Sequence, residues 1–88
     1  MSQPARILLV EDSPAQAVQL GEVLNAQGWE VIHKLTAEEA LSDVANVYPD
    51  LMLVDYHLPY MTGDEFCRQV RMRIDTRVIP IIMLTSQD

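Results

Sequence analysis

The sequence predicts an α/β fold in which helices cover both faces of a doubly wound parallel sheet. Three short apolar runs, at residues 7–10, 51–54 and 79–84, are followed at once by acidic or hydroxyl residues. Uninterrupted apolar runs of this length are typical of strands buried on both faces. Segments with helical periodicity lie between them, so strand and helix alternate along the chain. We therefore expect four parallel strands and three helices.

The first helix is predicted from the residues at its two ends. Ser13 can accept a hydrogen bond from a free backbone amide of the first turn, and Pro14 fits the first helical position. Gly28 is suited to stop the helix, because glycine readily adopts the left-handed conformation that often follows a helix. The loosely alternating stretch at 29–34 then predicts a short strand near an edge of the sheet.

Two further helices begin at threonine caps. Thr36 opens the second helix and Thr62 opens the third, and a glutamate follows each threonine three residues later. The apolar residues expected on the inner face of the second helix are Ala37, Ala40, Leu41, Val44 and Tyr48. The corresponding residues of the third helix are Phe66, Cys67, Val70 and Ile74. A final strand at 79–84 completes the alternation.

The composition of the chain, its length and its net charge exclude several classes of protein. The 88 residues suffice for at most one domain, spanning 1–88. With 13 acidic against 6 basic residues the net charge is −7, which is the wrong sign for direct binding to nucleic acid. Cys67 is the only cysteine, so no disulfide can form within the chain. No apolar stretch approaches the ~18 residues of a membrane span. We expect a cytoplasmic location and no membrane contact.

Polar residues follow three of the predicted strands directly. Glu11 and Asp12 follow the first strand, Asp55 ends the third, and Thr85 follows the fourth. Because the carboxyl ends of parallel strands meet at one edge of the sheet, we expect these side chains to converge. Neighbouring carboxylates repel unless a cation neutralises them, and carboxylates are ligands of Mg²⁺. One aspartate could then accept a phosphoryl group, and the Thr85 hydroxyl could donate a hydrogen bond to a phosphoryl oxygen. The alternative interpretation is that these acidic residues are ordinary solvated turn residues.

Four segments of the sequence resemble successive signature segments of the response-regulator receiver domain of two-component signalling. They occur in the family's order and spacing, at residues 8–13, 50–59, 61–63 and 80–86. The resemblance implies a CheY-like (flavodoxin-like) fold with its strands in the spatial order 2-1-3-4. It also implies a signalling module rather than an enzyme. It also implies that a sensor histidine kinase or a histidine phosphotransfer protein is the partner that supplies the phosphoryl group.

The same resemblance implies roles for individual residues. Asp55 would be the phosphoacceptor, and Thr85 would be the switch hydroxyl that moves toward the phosphoryl group. Glu11, Asp12, Asp55 and the backbone carbonyl of His57 would hold Mg²⁺. These roles agree with the chemistry that the strand ends indicate by themselves.

One departure from the family pattern concerns the C-terminal part. The family's fold continues to a fifth strand, whose lysine pairs with the phosphoryl group. The only lysine here is Lys34, between the second strand and the second helix. The chain therefore resembles a C-terminally truncated receiver that lacks the last helix-strand-helix portion. Its fourth strand would be an edge, which predicts a homodimer through that strand or through an exposed helical face.

Two other functions stay open at this point. Without the lysine, the chain could be a non-phosphorylated interaction or dimerisation module. A phosphatase that forms an aspartyl-phosphate is less favoured, because such sites resemble Asp-x-Asp whereas this chain has Asp55-Tyr56-His57. His33 is expected to be a surface residue of the second strand. The arginines near the third helix are expected to form a solvated face: Arg68, Arg71, Arg73 and Arg77.

Overall fold

The structure is a computed structural model, and it describes residues 3–84 of the chain. Thr85 therefore lies outside the described residues. Four strands and three helices alternate along this part, and none of these helices is long and apolar enough to cross a membrane. Their bounds are β1 Arg6–Val10, α1 Pro14–Ala26, β2 Glu30–Lys34, α2 Ala37–Val47, β3 Leu51–Asp55, α3 Gly63–Met72 and β4 Ile81–Leu84.

The four strands form one parallel sheet in the order β2-β1-β3-β4. β1 lies in the interior, where Val10 pairs with Lys34 on one side and with Val54 on the other. β3 pairs in turn with β4, which places Asp55 beside Leu84. The predicted fold class and strand order are confirmed, and the carboxyl ends of β1 and β3 lie side by side.

The helices cover the two faces of the sheet unequally. α2 and α3 pack over the larger buried cluster and α1 over the smaller one, while successive residues of β1 alternate between them. The larger cluster contains Leu8, Val10, Ala37, Ala40, Leu41, Val44, Met52, Val54, Leu58, Phe66, Val70 and Ile79. The smaller cluster contains Ile7, Leu9, Ala17, Leu24 and Leu53. The core under α1 is therefore the thinner of the two.

Each helix begins at the cap predicted for it. In every case the hydroxyl oxygen accepts the backbone N–H of the residue three positions on, at 3.1–3.3 Å. The caps are Ser13, Thr36 and Thr62. Such a cap stabilises a helix by about 1 kcal/mol. α1 ends shortly before Gly28, whose φ of 89° is the left-handed conformation expected of a residue that stops a helix.

Two residues that were predicted to face the core are exposed. Tyr48 is 51% exposed, because α2 ends at Val47 and Tyr48 itself turns left-handed with φ 44°. Ile74 is 82% exposed, because α3 ends at Met72 and the helical spacing no longer applies. Both predictions are wrong for one reason, since they extend a helix past its last residue. Cys67 is half-buried.

The segment between α3 and β4 is held by arginine side chains. Arg71 Nη1 donates to the carbonyl oxygens of Arg77 and Ile79, each at 2.9 Å. Arg73 Nη1 donates to the carbonyl oxygen of Leu41 in α2, at 2.8 Å. Arg71 is exposed, as a solvated face predicts, whereas Arg73 is half-buried, so the prediction of a solvated face is wrong for Arg73. Both side chains tie the end of α3 to its neighbours.

The last strand begins later than predicted, at Ile81 rather than at residue 79. Pro80 has no backbone N–H to offer to a ladder, although its carbonyl oxygen accepts the N–H of Met52 at 2.9 Å. Ile79 is nevertheless 2% exposed and belongs to the larger cluster. The apolar run thus combines a buried anchor with a short strand, which periodicity alone does not separate.

Candidate functional site

Three carboxylates converge at the carboxyl ends of β1 and β3. Glu11, Asp12 and Asp55 each present an oxygen, and these oxygens all lie within 4.8 Å of one another. The register explains the convergence. Because Val10 pairs with Val54, the residues that follow them in each chain segment, Glu11 and Asp55, lie next to each other. We refer to these three residues as the acidic cluster.

Glu11 is the most enclosed member of the acidic cluster, with only 5% of its surface exposed. Burial raises the pKa of Glu11 above its ordinary value of 4.5, and the neighbouring charges of Asp55 and Asp12 raise it further. The backbone N–H of Ser13, which donates to Oε2 at 3.1 Å, lowers this pKa and so acts in the opposite direction. A buried carboxylate beside two others is the situation that a bound cation relieves.

No ion pair within residues 3–84 neutralises the acidic cluster. Lys34 forms an ion pair with Asp43 instead, and its Nζ lies 3.1 Å from Asp43 Oδ2. The other ion pairs are Arg6 with Glu30 and Arg68 with Glu65. Three carboxylates without a cationic side chain form a set of hard oxygen ligands, and such a set fits Mg²⁺.

Asp55 stands where β3 gives way to the loop that leads to α3. Its carboxylate is half-buried, and Oδ1 accepts the backbone N–H of His57 at 3.1 Å. A groove of about 540 Å³ lies beside it and is also lined by Gln16 and Leu20 of α1 and by Leu84 of β4. Asp55 is therefore held by the backbone on one side and has room for a small ligand on the other.

The start of α3 approaches the end of β3 very closely at Gly63. The Gly63 N–H donates to the carbonyl oxygen of Tyr56 at 3.1 Å. A Cβ at this position would lie 2.6 Å from the carbonyl oxygen of Asp55 and 2.8 Å from Met83 Sδ. The helix can start this close to Asp55 because residue 63 has no side chain.

The contacts within residues 3–84 do not test some of the predicted roles. Thr85 is outside the described residues. His57 contributes its backbone N–H to Asp55, and its ring meets the Tyr56 ring edge-on with the centroids 5.1 Å apart. The His57 carbonyl as a metal ligand, the Thr85 switch and the phosphoacceptor role of Asp55 stay predictions.

One contact beside the acidic cluster involves a residue that was predicted to be only a surface residue. The Nε2 atom of His33 lies 2.7 Å from the carbonyl oxygen of Glu11. The signal that could have found it is the strand register, because the end of β2 must lie beside the end of β1 in a parallel pair. Composition and spacing along the chain do not reveal such a contact.

Known proteins match nearly the whole chain. Residues 7–88 match the family model of the response regulator receiver domain. The chain belongs to this family. The phosphate regulon transcriptional regulatory protein PhoB of Rhizobium meliloti is 42% identical over 82 residues, which cover 93% of this chain and 36% of that protein. Protein PilH of Pseudomonas aeruginosa is 31% identical over 84 residues, which cover 96% of this chain and 69% of that protein.

Solved receiver structures share the fold. The N-terminal domain of a response regulator receiver protein from Methanoculleus marisnigri JR1 has a TM-score of 0.91 and 32% identity, covering 94% of this chain and 68% of that one. The signal receiver domain of a signal transduction histidine kinase from Syntrophus aciditrophicus has a TM-score of 0.89 and 37% identity, covering 96% and 64%. The chain spans about a third of curated relatives such as PhoB and the DNA-binding response regulator MtrA, at 36% and 35% of their length.

Proposed function

We propose that this receiver domain, comprising residues 1–88, is a phosphoacceptor module in a two-component phosphorelay. The supporting observation is the acidic cluster, whose carboxylate oxygens lie within 4.8 Å of one another at the ends of β1 and β3. Family membership supports the same role. Asp55 is the proposed phosphoacceptor, because it ends β3, is half-buried and lines the groove beside the cluster.

In the proposed reaction, a carboxylate oxygen of Asp55 attacks the phosphorus of a phosphohistidine. The donor is a sensor histidine kinase or a histidine phosphotransfer protein. The new O–P bond forms as the P–N bond breaks, and the donor nitrogen keeps the electron pair and is protonated. The His57 N–H, 3.1 Å from Asp55 Oδ1, orients the carboxylate for the attack. The Thr85 hydroxyl is the proposed switch that moves toward the phosphoryl group.

The acidic cluster and the backbone carbonyl of His57 are the groups that we propose to hold Mg²⁺. Bound there, Mg²⁺ would offset the negative charge of the phosphoryl oxygens and of the carboxylates around them. The enclosed Glu11 would then be stabilised in its ionised form, which its burial otherwise disfavours.

Intact-mass spectrometry tests the proposed phosphorylation, after incubation of the protein with Mg²⁺ and acetyl phosphate. We expect a gain of one phosphoryl group in the wild-type protein and no gain in Asp55→Asn, which removes the attacking carboxylate. Asp75→Asn is the matched control, because Asp75 is exposed in the segment after α3 and should not affect the adduct. A wild-type protein that is folded by circular dichroism but gains no mass would contradict the proposal.

Self-association is a further part of the proposal, through β4 or through an exposed helical face. Within residues 3–84, β4 pairs only with β3, and Ile82 at the middle of this edge strand is 50% exposed. We propose no direct contact with nucleic acid, because the net charge is −7. A cytoplasmic location belongs to the same proposal, since a single cysteine requires no oxidising compartment.

The two alternative functions are not favoured. A module for interaction alone does not require a buried carboxylate beside two others, and this arrangement costs stability when no cation is bound. An aspartyl-phosphate phosphatase is disfavoured by the sequence Asp55-Tyr56-His57, which lacks the second aspartate of such sites.

A further inference from the structure

The last two residues of β2 contact both the backbone N–H and the backbone carbonyl oxygen of Glu11. Its N–H donates to the carbonyl oxygen of Lys34 at 3.1 Å, and its carbonyl oxygen lies 2.7 Å from Nε2 of His33. A carbonyl oxygen only accepts hydrogen bonds, so the proton of this bond resides on Nε2 of the histidine. Glu11 lies one residue beyond β1, and β2 thus continues to hold the chain where the strand itself has ended.

This carbonyl belongs to the peptide bond that joins Glu11 to Asp12. Because the peptide unit is planar, fixing the direction of its carbonyl bond also fixes the orientation of the peptide plane that joins Glu11 to Asp12. Glu11 and Asp12 are two of the three members of the acidic cluster. A single hydrogen bond from His33 therefore constrains the peptide bond between two proposed metal ligands.

The Glu11 side chain is anchored by a separate bond, in which the Ser13 N–H donates to Oε2 at 3.1 Å. The His33 contact and the Ser13 contact thus constrain the same residue from its backbone and from its side chain.

We propose that His33 is a positioning residue, which orients Glu11 and Asp12 so that the acidic cluster can bind Mg²⁺. The inference rests on the proposed function, because it assumes that the cluster is a metal site. His33 itself touches neither the metal nor the phosphoryl group in this proposal. It pairs with Leu9 in the parallel ladder and reaches forward along the sheet to the Glu11 carbonyl. Since His33 is an exposed residue, its replacement leaves the core intact.

The test compares Mg²⁺ binding by the 88-residue wild-type protein and two variants, measured by isothermal titration calorimetry with Mg²⁺ alone. His33→Leu removes the donor, and we expect the affinity for Mg²⁺ to fall about tenfold, as for other groups that orient metal ligands. His33→Gln keeps an N–H donor on a side chain of similar reach, and we expect it to restore most of the affinity. Urea unfolding with EDTA should give closely similar midpoints for all three proteins.

Lys34→Met is the matched control on the same strand. It removes the ion pair with Asp43 but leaves the backbone carbonyl that accepts from Glu11, so we expect Mg²⁺ affinity within about twofold of wild type. Wild-type affinity in His33→Leu, or a loss that His33→Gln does not restore, would overturn the positioning role while leaving the metal site in place. A folded wild-type protein that binds no Mg²⁺ would overturn the proposed metal site and this inference with it.

Discussion

The Glu11 carboxylate combines burial with the proximity of two like charges. Its pKa is raised above 4.5, first by burial and then by Asp55 and Asp12. The folded protein therefore holds a proton on Glu11 more tightly than the unfolded chain does. In the absence of metal, Glu11 lowers the free energy of unfolding as the pH rises above 4.5, and the loss is complete once the pH exceeds the raised folded-state pKa.

Glu11→Gln should increase the free energy of unfolding of the metal-free protein at neutral pH, because a neutral amide of the same shape replaces a buried charge. The gain over wild type should shrink as the pH falls through the raised pKa toward 4.5. The variant should also lose the stabilisation that Mg²⁺ confers on the wild-type protein. Urea denaturation with EDTA and with Mg²⁺, across this pH range, measures both effects.

Glu22→Gln is the control for this prediction, because it makes the same chemical change at an exposed position of α1. It should change neither the pH dependence nor the effect of Mg²⁺. A metal-free Glu11→Gln protein less stable than wild type at neutral pH would show that the buried charge is compensated in another way.

At the scale of the elements, the site depends on how closely α3 approaches β3. Gly63 is the first residue of α3. A Cβ atom added there would lie 2.6 Å from the carbonyl oxygen of Asp55 and 3.0 Å from Tyr56 Cα. Both of these neighbours are backbone atoms of the segment that carries the proposed phosphoacceptor. A side chain at residue 63 must therefore push α3 away from the end of β3. Gly21 in α1 differs, because nothing lies within 4 Å of its Cβ position.

Gly63→Ala should lower the free energy of unfolding by about 1–3 kcal/mol, since an added methyl group meets backbone that cannot yield cheaply. Gly21→Ala should raise it by about 0.5–1 kcal/mol, because alanine is the better helix former and the space is open. Thermal and urea unfolding of the two variants beside wild type measure both changes. Equal effects of the same sign at the two helical glycines would contradict the close approach at Gly63.

At the scale of the whole molecule, the sheet is covered more fully on one face than on the other. Ile81 and Met83 of β4 pack against the larger cluster, and Leu84 packs against the smaller one. Ile82 therefore lies on the face of α1, because strand side chains alternate. It is half exposed and is absent from the smaller cluster, which α1 forms with residues of β1 and β3. An exposed apolar side chain on an edge strand favours association with another chain.

The wild-type protein should accordingly scatter light as a species of about twice its 10.0 kDa mass at tens of micromolar. Ile82→Lys should shift it toward the monomer, because a charged lysine on an edge strand opposes pairing with a second copy. Ile74→Lys is the control, since Ile74 is 82% exposed outside the sheet. A wild-type monomer would contradict self-association. Val18 is 59% exposed on α1, and a dimer that survives Ile82→Lys but not Val18→Lys would locate the interface on α1 instead.

Much of the architecture is predictable from the chain alone, because the signals involved act over a few residues. Ser13, Thr36 and Thr62 cap their helices through bonds to residues three positions on, so the starts of the helices are local properties. Apolar runs predict the interior strands, and the ends of parallel strands predict the convergence of Glu11 with Asp55. The sequence predicts the ends of helices less well, since Tyr48 and Ile74 lie just past the ends of α2 and α3 and are exposed.

What the chain alone does not reveal depends on contacts between distant segments. The bond of His33 to the Glu11 carbonyl requires the register of β2 on β1, and the bond of Arg73 to Leu41 requires the packing of α3 beside α2. Neither residue type nor spacing predicts these partners, because each arises only when separate elements are brought together. Local chemistry therefore determines which elements form and which strand ends carry carboxylates. Tertiary packing decides which neighbours orient and enclose those carboxylates, because both register and burial are properties of the assembled sheet.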